Sequence, residues 1–166
     1  MSAPAPADSL AAKVAVITGA SKAIGRATAL RLASLAASVV INYASSTKDA
    51  DEPVQHIGSD RAVAVKADSG SIPGLERLVS AAVDKFGRID ILIPNPTPPS
   101  CKSPGPTGTE LFFEGKSEQL LNTINGWTWT LFGRIGEPDE IAEVIAFVSG
   151  PRWVNCQVFE ANGGMA

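Results

Sequence analysis

This sequence has little of several things, and each shortage excludes something. It carries one histidine, His56, and two cysteines, Cys101 and Cys156, in 166 residues. The thiols read as isolated, and no cluster of metal-ligating side chains is built from so few nitrogen and sulfur donors. It carries one tyrosine, Tyr43. No apolar run reaches the roughly 20 residues that a membrane-spanning helix needs. Positive charge is not in excess: 14 Lys and Arg against 17 Asp and Glu leave a net −3. That gives no footing for a phosphate backbone, so neither nucleic acid nor membrane is an expected partner. The opening MSAPAPADSL lacks the basic start and apolar centre of a secretory signal. Residues 1–10 read as a flexible tail, and the cytoplasm is the default compartment.

What is present describes a globular domain. Apolar residues make up 45% and charged residues 19%, enough for a core in one domain over residues 11–166. The most informative stretch is VAVITGASKAIGR, residues 14–26 with Lys13 before it. Val14, Val16 and Ile17 lie in a β-branched run with almost no polar residue, the pattern of a strand buried on both faces. Thr18 and Gly19 end it. Gly25 follows six residues later, and Ala27, Leu30, Leu32 and Leu35 continue an amphipathic helical pattern. A strand, a glycine turn and a helix in that order aim free N–H groups and a positive helix end at one point, which suits a phosphate. An ordinary tight turn using glycine for its geometry alone is the plainer alternative.

Alternation continues along the chain. Residues 37–41 (ASVVI) read as a second strand running into Asn42, Tyr43, Ala44, Ser45 and Ser46. Residues 47–58 are polar with Pro53 inside and carry a weak helix at best. Residues 62–66 (AVAVK) alternate as a third strand and lead into Asp68 and Ser69. Pro73 opens a helix with Leu75, Leu78, Val79, Ala82, Val83 and Phe86 on its apolar face, and Gly87 stops it. Residues 89–93 (IDILI) read as a fourth, buried strand.

The whole pattern resembles the short-chain dehydrogenase/reductase family, whose cofactor loop is Thr-Gly-x-x-x-Gly-x-Gly. Thr18, Gly19 and Gly25 match it, and Ala23 stands at the middle glycine. The resemblance implies a Rossmann-like α/β fold, a doubly wound parallel sheet. It also implies a dinucleotide site that includes Thr18, Gly19, Ser21, Lys22, Ile24 and Gly25. In dinucleotide folds an acidic residue at the end of the second strand grips the NAD ribose. Here Asn42, Tyr43, Ala44 and Ser45 stand instead, leaving room for a 2′-phosphate beside Lys22, so NADP(H) is expected over NAD(H). Asp68 and Ser69 fall where the family meets adenine, and Asn95 at its cofactor-side asparagine.

The family pattern then breaks. Six prolines occur from Pro94 through Pro106, which excludes a helix or central strand and leaves a stiff junction over residues 97–106. Resemblance resumes at Ser103 to Thr109, a segment that in the family touches the nicotinamide, so Pro104, Gly105, Thr107 and Thr109 join the expected site. A substrate-lid helix is expected over about 110–124, a helix from Asp139 to Ser149 on the apolar side chains Ile141, Val144, Ile145 and Val148, a last strand over Val154–Phe159, and a terminal loop at Asn162-Gly163-Gly164.

The family's catalytic serine, its Tyr-x-x-x-Lys helix and two strands would lie between these blocks and are missing. Four residues after Tyr43 stands Thr47, not lysine. No catalytic residue is therefore expected. Removal of two strands predicts a truncated sheet of about five strands, ordered 3-2-1-4-last, with exposed apolar surface. Homo-oligomer contacts would be reduced, because the family's interface helices are largely gone. By resemblance the function is NADP(H)-dependent reduction of a carbonyl, 3-oxoacyl or polyketide-like, in a chain that lacks the acid for the developing alkoxide. The alternatives are a non-catalytic NADP-binding or partner-binding remnant, and a truncated product without function.

Overall fold

Among the described residues of the computed structural model the strands are β1 (Val14–Ile17), β2 (Ser38–Tyr43), β3 (Ala62–Lys66) and β4 (Ile91–Ile93). They form one parallel sheet in the order β3-β2-β1-β4. The structure describes residues 9–95, 105–119, 123, 132–150, 154 and 157–164. The first strands are buried on both faces, as their unbroken apolar runs require: every residue of β1 and all but Ser38 of β2 are buried. Register is direct, with Val16 opposite both Val40 and Leu92. Residues opposite one another share a face, so the sheet sorts its side chains into two sets.

One face is closed. It carries Ala15, Ile17, Val39 and Ile41, packed with Ala29 and Leu32 of α1 (Ala23–Ser34), Ala50 of α2 (Thr47–Ile57) and Ala146 of a C-terminal helix over Pro138–Ser149. The other face carries Val16, Val40 and Val65 under Leu78 and Ala82 of α3 (Ile72–Phe86). A four-residue helix, α4 (Glu110–Phe113), follows, and Pro138–Ser149 is numbered α5. Among the described residues no helix is long and apolar enough to cross a membrane.

Four expectations change. First, residues 47–57 form a full helix rather than a weak one. The Ser46 side chain caps it by accepting the Asp49 N–H at 3.3 Å. Pro53 is buried with Ala50 against the sheet, and Val54 and Ile57 pack beside them. That burial offsets the roughly 3 kcal/mol an interior proline costs. Second, β4 is not buried. Leu92 is 64% exposed, while its partner Val16 is 2% exposed. The reason is position: β4 is the sheet edge. Third, the lid helix is interrupted: α4 ends at Phe113 with Glu114 as its C-terminal cap, and residues 118, 119 and 123 are helical again. No side chain of α4 is fully buried, so packing does not prolong that first turn. Fourth, the sheet has four strands among the described residues. Val154 and Gln157–Phe159 are not strand there, and Asn155 and Cys156 lie outside the described residues. Pro104, Cys101 and most of the proline-rich junction lie outside them too.

One carboxylate fixes where β4 enters the sheet. Asp90 Oδ2 accepts the Val14 N–H at 3.0 Å and Arg88 Nε at 2.8 Å. Its Oδ1 accepts Lys13 Nζ at 3.1 Å and the Arg88 terminal nitrogen at 2.6 Å. Hydrogen bonds from the Arg88 guanidinium foremost, helped by Val14 N–H and Lys13, hold this carboxyl well below the usual aspartate range. Asp90 thus staples the starts of β1 and β4.

Candidate functional site

The loop from Thr18 to Gly25 joins the C-terminal end of β1 to α1, and three outside groups hold it. Asn42 is 2% exposed at the end of β2. Its Oδ1 accepts the Gly19 N–H at 3.1 Å, and its backbone carbonyl accepts the Ala20 N–H at 2.8 Å. Its amide nitrogen donates to the Ala67 carbonyl at 2.8 Å, so Asn42 ties the loop to the chain beyond β3. Asn95, just past β4, donates its N–H to Thr18 Oγ1 at 2.7 Å and its side-chain amide to the Thr18 carbonyl at 3.2 Å. Thr18 in turn donates its N–H to the Ile93 carbonyl at 3.1 Å.

The glycines are there for stated reasons. Gly19 has φ +59°, a left-handed value that a side chain resists. A Cβ at Gly25 would lie 2.4 Å from the Gly19 carbonyl oxygen and 2.9 Å from the Asn95 amide nitrogen. So Gly25 lets the first turn of α1 press against the loop. Ala23, at the position of the motif's middle glycine, has φ +49°. Its methyl group therefore sits on a strained backbone at the mouth of the loop.

Helix ends sharpen the picture. A side-chain oxygen caps α2 from Ser46, α3 from Ser71 and α4 from Thr109. At α5 the Glu140 carboxylate accepts the Glu137 N–H at 2.8 Å. The N-cap of α1 is Lys22, whose side chain makes no such bond. The first N–H groups of α1 have no partner within the helix, and they face the turn that Gly19 and Gly25 shape.

Charge at this mouth is mixed. Lys22 Nζ lies 3.2 Å from Asp49 and 3.3 Å from Glu110. Hydrogen bonds to these two carboxylates, Asp49 first, raise the ammonium above its ordinary value. Asp49 is held low by the Ser46 hydroxyl and by Lys22. Glu110 opens α4, so this ion pair also brings the segment from Gly105 to Glu110 to the loop. That segment is anchored by Thr107, 5% exposed, and by reciprocal bonds in which Gly136 N–H donates to Pro106 and Gly108 N–H to Gly136.

The structure thus gathers Thr18, Gly19, Lys22, Asn42 and Asn95 around one turn and brings Glu110 to its edge. Ser21 and Ile24 lie on the same turn, half-buried, and Ala44 and Ser45 stand exposed past β2. Tyr43 is turned inward, 8% exposed, with its hydroxyl 3.3 Å from Thr47 Oγ1. Asp68 makes a local turn, accepting the Gly70 N–H at 2.9 Å, with Ser69 beside it. Thr109 spends its hydroxyl on the Phe112 N–H at 3.1 Å. A shallow cavity of ≈ 170 Å³ lined by Gly105, Thr107, Phe132, Ile141, Val144 and Asn162 is separate from the glycine turn. Sequence reasoning gave Asn42 only to the ribose region. Its role as the clamp on Gly19 depends on a contact across 23 residues. The pairing of Lys22 with Asp49 and Glu110 was likewise invisible, since neither carboxylate belongs to the glycine motif.

A parallel sheet with a glycine turn at the end of its first strand, opening a helix, is the architecture of the dinucleotide-binding α/β folds. Comparison narrows this. The short chain dehydrogenase family model matches residues 13–119. The chain belongs to the short-chain dehydrogenase family. Among curated relatives, the hydroxynaphthalene reductase-like protein Arp2 of Metarhizium anisopliae is 44% identical over 106 residues, 63% of this chain and 36% of that protein. The 3-oxoacyl-[acyl-carrier-protein] reductase of Synechocystis is 44% identical over 88 residues, 52% of this chain and 36% of that protein. These matches span about a third of the length of either relative. Among solved structures, the angucycline C-6 ketoreductase LanV with bound NADP superimposes with a TM-score of 0.79 at 22% identity, covering 94% of this chain and 96% of that one. That likeness shows the fold.

Proposed function

We propose that this chain binds a nicotinamide dinucleotide, NADP(H) in preference to NAD(H), at the turn from Thr18 to Gly25, and that it does so without completing carbonyl reduction. One observation carries the reading: the N-terminus of α1 has no side-chain cap, at a turn held open by Asn42 and Asn95. The residues fit a pyrophosphate. The Gly25 position admits no Cβ, and the uncapped N–H groups supply donors. The cofactor, when bound, supplies hydride. This chain's own residues do the rest: Gly19 and Gly25 shape the turn, Asn95 fixes the strand end beside it, and Lys22 offers positive charge for a 2′-phosphate. Lys22 does so against competition, because Asp49 and Glu110 already hold it.

The relatives named reductases support a carbonyl substrate of 3-oxoacyl or polyketide-like type for the ancestral reaction. The proton for its alkoxide has no donor here of the kind that the family uses. The chain's one tyrosine points into the protein beside Thr47, and general acid help is worth about 100- to 10,000-fold. The chain is accordingly read as a cofactor-binding remnant of a reductase. Thermal unfolding with NADPH, with NADH and with neither tests this. A ligand of the native state at 100 times its Kd stabilises it by about 2.7 kcal/mol. A transition raised by NADPH more than by NADH supports the reading, and a transition that neither moves sinks it. Steady NADPH oxidation with a panel of ketones would overturn the non-catalytic part.

A further inference from the structure

The face of the sheet that α3 covers is finished on one side and open on the other. Arg77 donates to the Lys66 carbonyl at 3.4 Å and Lys85 to the Ser59 carbonyl at 2.6 Å. Those contacts turn one flank of α3 toward β3. Leu78 and Ala82 point down onto Val16 and Val40. The opposite flank, toward β4, carries Leu75, Val79 and Val83, with Ile72 a turn ahead. These are 44%, 50%, 46% and 74% exposed. Below them Leu92 of β4 shares the face of Val16 and is 64% exposed. Wall and floor meet in an apolar shelf about one helix wide, since packed helices sit 8–10 Å apart.

The shelf's wall is also a helix seam. Ile72, Leu75, Val79 and Val83 recur at steps of three, four and four, the spacing that lines one side of a helix and lets it pack against another. We propose that the occupant of the shelf is α3 of a second copy of this chain, seated reciprocally. A two-fold axis running along the paired helices places each α3 over the other copy's Leu92. It leaves one layer of two helices between two sheets, so the same residues meet their counterparts. The exposed apolar side chains supply roughly 500 Å² per copy, and both copies together reach the ~1,000 Å² lower bound for a specific interface. The dimer is therefore weak and concentration-dependent. It uses a face quite apart from the glycine turn and does not rest on the cofactor reading.

Sedimentation of the full chain across a concentration series tests this, together with the substitution Val79→Glu. That position is half exposed, so the charge is compatible with the folded monomer. The expected result is a mass rising toward twice 17.2 kDa and returning to a single chain in Val79→Glu, with unchanged circular dichroism. Lys48→Glu, on α2, should leave the mass alone. In a Cys101→Ser, Cys156→Ser background, Val79→Cys should cross-link under mild oxidation and Lys48→Cys should not. A single-chain mass at every concentration, or any mass that Val79→Glu leaves unchanged, overturns the proposal.

Discussion

The two faces of the sheet are made of similar side chains and have different fates. On the closed face Ile17, Leu32, Val39 and Ile41 show no exposure, because α1, α2 and α5 pack over them and Arg31 of α1 pairs with Glu143 of α5 at 2.7 Å. On the other face α3 is the helix that packs on the sheet among the described residues, and Leu92 stays largely in water. Hydrophobicity therefore says that a residue can be buried. Which residues are buried depends on how many neighbours the chain supplies to cover them.

Substitutions make that contrast measurable. Leu32→Ala should cost about 3 kcal/mol in denaturant unfolding, since it leaves a cavity in a sealed core. Leu92→Ala should cost less than about 1 kcal/mol, and equal losses would mean that the faces are not different. Gly25→Ala comes next. With a Cβ 2.4 Å from the Gly19 carbonyl oxygen, it should cost roughly 2 kcal/mol through forced backbone movement and abolish any nucleotide-induced rise in Tm. Ala23→Gly works in the opposite direction. Relieving the positive φ should stabilise by about 1 kcal/mol in the same assay.

Asp90 gives a pH-dependent handle on the edge strand. Its carboxyl is depressed in the folded protein, so its contribution is fully present above the unfolded value near 3.9 and is lost as pH falls below it toward the lower folded value. Asp90→Asn should flatten the acid limb of a stability-versus-pH curve and leave a residual slope from other carboxylates. The smallest effect belongs to Glu110→Gln. Freeing Lys22 from one carboxylate should raise preference for NADPH over NADH by about fivefold, the equivalent of about 1 kcal/mol, read from paired binding titrations.

Much of this was legible in the sequence, and for physical reasons. β1 and β3 were readable because β-branched and alternating runs encode burial locally. α3 was readable because Pro73 and Gly87 mark its ends and its apolar period is strong. α2 was not, because a polar segment with Pro53 gains its stability from packing on a sheet that no local pattern reveals. The exposure of β4 was hidden for the converse reason: its run of isoleucine and leucine is that of a covered strand, and only the sheet order shows that it is the edge strand among the described residues. At the site the glycines were visible as a motif. Asn42 and Asn95 clamp the turn through space, and the carboxylates on Lys22 come from α2 and α4.

The strand order has a consequence for how the molecule is made. All four strands lie between Val14 and Ile93, whereas α5, which finishes the closed face over α1, begins only at Pro138. A nascent polypeptide leaving the ribosome completes its strand pairing first and gains its last cover late, in a separate docking step. Until then the apolar side of α1 around Ala33 waits in the open.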